Sequence, residues 1–79
     1  MKVKVLFFGA TADETGEREI EVSLAKNTKA NEALAEILEK FPRLGEHKLL
    51  FAVNQEYANG AEFIKDGDEL AVFTAVSGG

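Results

Sequence analysis

The sequence predicts an α+β fold, with one main helix packed across a mixed sheet. Three observations point there. Two apolar alternations of strand period lie near the start, one stretch of helical period occupies the middle, and two further strand-length apolar segments follow. With 79 residues the chain has material for one hydrophobic core, so residues 1–79 are expected to form a single domain, with 76–79 as a flexible C-terminal tail.

The elements follow in order. Lys2-Val3-Lys4-Val5-Leu6-Phe7-Phe8 begins in alternation, with Val3, Val5 and Phe7 on one face, and reads as a strand. Gly9 to Gly16 is small and polar and reads as a turn. Glu19 to Leu24 alternates cleanly, burying Ile20, Val22 and Leu24, so the first part of the chain reads as a β-hairpin. From Ala30 the apolar residues fall at Ala30, Leu34, Ile37, Leu38 and Phe41, the spacing of one helical face. Thr28 is the expected N-cap, Glu32 suits the positive first turn, and Pro42 ends the helix.

Arg43 to Lys48 reads as a loop, and Leu49-Leu50-Phe51-Ala52-Val53 as a strand stopped by Asn54-Gln55. Asn59-Gly60 and Asp66-Gly67-Asp68 are turn signals, and the second launches a last strand from Glu69 to Thr74. A hairpin, a helix and then more strands match the ubiquitin-like β-grasp, in which the first and last strands lie side by side. Leu34→Ala is expected to open a cavity and cost about 2–5 kcal/mol.

Composition narrows the function. The net charge is −5, which disfavours nucleic acid and anionic membranes. It is compatible with a basic partner protein, and equally with plain solubility. No apolar run reaches the ~20 residues of a membrane span, and Met1-Lys2-Val3 begins a strand rather than a signal peptide, so the expected location is cytoplasmic. With no cysteine, a disulfide, a thiolate metal site and a cysteine nucleophile are all excluded. His47 stands alone in a polar segment and reads as a solvated loop residue. Asp66, Asp68 and Glu69 surround a turn glycine and lack the remaining ligands of a calcium loop, so no metal is expected. Gly9 and Gly16 do not form a phosphate-binding fingerprint.

Two features remain as candidates. The chain ends Val76-Ser77-Gly78-Gly79. A lone Gly-Gly can be a frayed stub; it is also a slender backbone that threads a narrow channel and presents an α-carboxylate. The second feature is the sheet face opposite the core. Alternation puts Leu6, Phe8 and Phe73 there, joined by Tyr57, either as a partner surface or as side chains covered by loops.

Val5-Leu6-Phe7-Phe8-Gly9, Ala52-Val53-Asn54-Gln55, Asp66-Gly67-Asp68-Glu69-Leu70-Ala71 and Val76-Ser77-Gly78-Gly79 occur in this order along the whole chain. In that order and spacing the chain resembles the small subunit of molybdopterin synthase, a ubiquitin-like sulfur carrier. The family usually has two prolines before its end; here Thr74-Ala75 stand in their place, and the tail loses the stiffening proline gives.

The resemblance implies a role for each candidate. Gly79 is adenylated by an E1-like enzyme using ATP and converted to a thiocarboxylate, with Gly78 as the spacer that lets it thread. Phe8, Tyr57 and Phe73 match the apolar contact surface, and Val76 and Ser77 lie at the entrance of the partner's channel. The partners implied are the E1-like adenylating enzyme and the large synthase subunit, in a heterotetramer of two small and two large subunits. Sulfur passes to cyclic pyranopterin monophosphate in molybdenum cofactor biosynthesis, with no cofactor held by this chain. Three other readings stand beside it: a thiamine-pathway sulfur carrier, a ubiquitin-like protein modifier joined to lysines through Gly79, and an interaction domain whose Gly-Gly is incidental.

Overall fold

The computed structural model describes residues 1–75. Five strands form one sheet: β1 (Lys2–Phe7), β2 (Glu19–Ser23), β3 (Leu49–Val53), β4 (Glu56–Tyr57) and β5 (Glu69–Thr74). Their order is β2-β1-β5-β3-β4. β1 and β5 run parallel in the middle, as expected of the first and last strands, and the other pairs are antiparallel. Helix α2 (Ala30–Lys40) lies on one face, so the architecture is the ubiquitin-like β-grasp.

The core sits between that helix and the inward residues of the sheet. Val3, Val5, Phe7, Leu70 and Val72 are buried there with Ala30, Ala33 and Ile37 of the helix. Leu34, Leu38 and Phe41 are only partly buried, so the helix centres its stripe on Ala33 and Ile37 rather than on Leu34. Phe41 closes one end of the core, its ring edge-on to Phe7 with centroids 5.6 Å apart. Val53 and Ile20 border the core rather than fill it.

Three sequence expectations need correction. The segment between Gly9 and Gly16 is not a turn but a helix, α1 (Ala10–Thr15). Gly16, in the left-handed region, closes it by donating to the Ala12 carbonyl at 2.9 Å. A helix this short has no readable period and is held by tertiary contacts. The N-cap of α2 is Lys29, whose backbone N–H donates to the Glu32 carboxylate at 2.8 Å. Thr28 instead donates its hydroxyl to the Ala25 carbonyl. Finally, the segment after the helix is not an open loop. Pro42–Glu46 forms a 3-10 helix that drops Leu44 into the core, fully buried.

Between β3 and β4, Asn54 and Gln55 both take positive φ, the backbone of the tight hairpin turn whose twist matches that of the strands.

Candidate functional site

The strand register sorts the outward side chains. Leu6 lies opposite Ala71, Leu50 opposite Phe73, and Ala52 between Ala71 and Tyr57. These residues face away from the α2 side, and β1 and β5 carry a polarity gradient along that face. At their beginnings stand Lys2, Lys4 and Glu69, with Lys2 and Lys4 paired to Glu21 and Glu19 at 3.5 and 3.9 Å. At their ends stand Leu6, Ala71 and Phe73. The exposed ion pairs add little stability; their effect is to confine the apolar area to the end where β5 leads toward residue 76.

Phe8, one residue beyond β1, is 52% exposed, and Tyr57 78% exposed. Phe73 is half-buried, its ring tilted against that of Tyr57 with centroids 5.9 Å apart. Phe7 is paired with Val72 at the last step of the ladder, and Phe8 and Phe73 are the residues that follow on the two chains. The structure thus brings Phe8, Phe73 and Tyr57 onto one face. Val76, Ser77, Gly78 and Gly79 lie outside the described residues.

One residue of this region carries no sequence signal. Thr11 is fully buried, and its hydroxyl oxygen lies 3.0 Å from the Phe8 amide nitrogen and 2.7 Å from the Val72 carbonyl. A threonine between alanines in a small polar segment looks like any turn residue.

The remaining polar candidates are structural. His47 is partly solvated but does not stand alone: its Nε2 lies 3.1 Å from the Glu14 carboxylate, which also receives Arg43 at 3.5 Å. This cluster joins α1 to the 3-10 segment. Around Gly67, Asp68 accepts the Lys65 amide at 2.7 Å within the turn, and Asp66 accepts the Lys2 amide at 2.7 Å, tying the turn to the start of β1. Asn54 donates to Asp68 and accepts from the Glu69 amide, both at 3.0 Å. Among the described residues no group of three or more His, Cys, Asp or Glu could hold a metal ion. Nor is any helix among them long and apolar enough to cross a membrane.

Comparison with known proteins places this geometry. The model of the ThiS family matches residues 5–79. Three molybdopterin synthase sulfur carrier subunits align over nearly the full length of both chains. That of Caenorhabditis briggsae is 42% identical, covering 100% of this chain and 99% of its own. That of Mycobacterium tuberculosis is 38% identical with the same coverage. The human protein is 35% identical, covering 99% and 94%. Among solved structures, SAMP1 from Haloferax volcanii superposes with a TM-score of 0.89 at 26% identity, covering all of both chains. A chain from the complex of subunits 1 and 2 of molybdopterin-converting factor from Helicobacter pylori gives 0.72 at 27%, again over both whole chains.

Proposed function

The chain belongs to the ThiS family, and on that premise we propose that it is a molybdopterin synthase sulfur carrier subunit whose Gly79 bears the sulfur as a thiocarboxylate. The observation that carries this reading is the end-to-end identity with sulfur carrier subunits of that synthase. The apolar end of the sheet face, where β5 leads toward the Gly-Gly, supports it.

The chemistry follows from what a carboxylate lacks. It is a poor electrophile, so an E1-like enzyme first joins it to AMP from ATP, releasing pyrophosphate. A sulfur nucleophile then displaces AMP at the acyl carbon and leaves a thiocarboxylate. With no cysteine in the chain, the backbone terminus is where sulfur can be held. Phe8, Tyr57 and Phe73 dock on the partner, Val76 and Ser77 enter its channel, and Gly78 and Gly79, lacking Cβ atoms, pass the narrowest part. The large subunit, in an assembly of two small and two large chains, then directs sulfur onto cyclic pyranopterin monophosphate. The complex from Helicobacter pylori supports a second subunit as partner.

The test is reconstitution with the large subunit and the activating enzyme. Appending one residue after Gly79 is expected to abolish sulfur transfer while leaving the melting temperature unchanged; full transfer by an untrimmed extended chain would overturn the reading.

A second reading has its own support. The high structural similarity to SAMP1, a small archaeal modifier protein, fits a role in which Gly79 is joined to lysines of other proteins. Conjugates of high mass in the native cell would favour it.

A further inference from the structure

The parallel ladder between β1 and β5 stops one rung early, and Thr11 stands in the gap. The Lys4 amide donates to the Asp68 carbonyl at 3.0 Å. Rungs of a parallel pair recur every second residue on each strand, so the series continues from Leu6 to Leu70 and then from Phe8 to Val72. The last of these is not made directly. The Phe8 N–H donates instead to the Thr11 hydroxyl at 3.0 Å, and that hydroxyl donates its one proton to the Val72 carbonyl at 2.7 Å. The Phe8 carbonyl in turn accepts the Thr11 backbone N–H at 3.1 Å. Both backbone polar groups of Phe8 are therefore held by one residue of α1. Gly9 follows at φ 55°, ψ −119°, a conformation that turns the chain away from the sheet and that residues with a Cβ rarely adopt.

The consequence falls on the docking face. Val72 immediately precedes Phe73, so a single buried hydroxyl fixes the backbone beside both aromatic residues. It separates the strand ends by its own width while keeping every polar group of the rung satisfied. We infer that Thr11 is a positioning residue for partner binding, its inserted hydroxyl setting Phe8 against Phe73 at the root of the C-terminal tail. This rests on the reading of Phe8 and Phe73 as contacts to the large subunit.

The experiment compares Thr11→Val, which keeps the shape and removes the hydroxyl, with Thr11→Ser, which keeps the hydroxyl. Calorimetric titration with purified large subunit is expected to show about tenfold weaker binding for Thr11→Val and near wild-type binding for Thr11→Ser. The Phe8 amide is expected to exchange faster with solvent in Thr11→Val alone. On a Phe8→Ala background Thr11→Val should add less than its full loss, since part of the hydroxyl's effect acts through Phe8. Equal affinity and equal Phe8 protection in Thr11→Val, or a full additional loss on the Phe8→Ala background, would overturn the inference. If Thr11→Val fails to fold, Thr11→Ala, which leaves room for water, is put through the same titrations and judged alike. Failure of the wild-type chain to bind the large subunit would instead overturn the functional reading, while Phe8 exchange in Thr11→Val would still decide the positioning role.

Discussion

Tyr57 and Phe73 sit on adjoining parts of the outward sheet face with ring centroids 5.9 Å apart, inclined at 59°. Tyr57 lies on the short edge strand and Phe73 on the central strand that leads to the tail, so the pair makes one aromatic surface out of two strands. Truncating Phe73 to alanine is expected to weaken binding to the large subunit by about 2 kcal/mol or more, as at an interface hot spot. Tyr57→Ala, mostly exposed, should leave stability within about 0.5 kcal/mol of wild type. Titration and thermal unfolding of both variants check this; a large fall in melting temperature for Tyr57→Ala would contradict the exposed placement.

Core truncation separates the centre of the α2 stripe from its margin. Ile37 is buried and Leu34 only half-buried, so Ile37→Ala is expected to cost about 2–5 kcal/mol. Leu34→Ala, assigned that full cost by periodicity alone, should cost less. Urea unfolding of the two variants gives the order directly.

The helical period identified α2 but not which of its apolar residues lies deepest, because Ala33 and Leu34 are neighbours on one stripe and only packing against the sheet decides between them. The central pairing of β1 with β5 followed from the fold class that the element order matches, and not from any pattern within the two strands. The sorting of Phe7 from Phe8 was legible in the residues themselves, since strand period fixes side-chain direction. α1 was not legible: its six residues are too few for a period, and its purpose is tertiary, the seating of Thr11 between two strands. Leu44 was missed for a related reason, its burial depending on a 3-10 turn after Pro42. Two motifs that carried the family resemblance, around Asn54 and around Asp68, prove to touch, the Asn54 carboxamide bonding Asp68 and the Glu69 amide.

The Glu14 cluster gives a modest prediction. Its carboxylate meets His47 and Arg43 across the junction of α1 with the 3-10 segment. These side chains are partly solvated, so Glu14→Gln is expected to cost about 1 kcal/mol or less. A loss several times larger in chemical denaturation would show the junction to depend on that charge.

Glu62 contributes to acid sensitivity. Its carboxylate accepts the Asn59 amide at 2.9 Å and the Gly60 amide at 3.0 Å, and these bonds hold its pKa below the ordinary 4.5. A pKa lowered by folding means stabilisation that is complete above the unfolded value and is lost as pH falls through the folded one. Glu62→Gln is therefore expected to flatten the acid limb of the stability profile below that range and to leave its shape at neutral pH unchanged. Melting temperatures across an acid titration check it; identical acid limbs would contradict it.

The intact mass of the chain purified from its native cell tests the central claim most directly. The expected result is a fraction heavier by the exchange of one oxygen for one sulfur, with fragmentation placing the change on Gly79. Chains carrying no added sulfur under conditions of active molybdopterin synthesis, or the added sulfur placed on any other residue, would contradict the sulfur-carrier account.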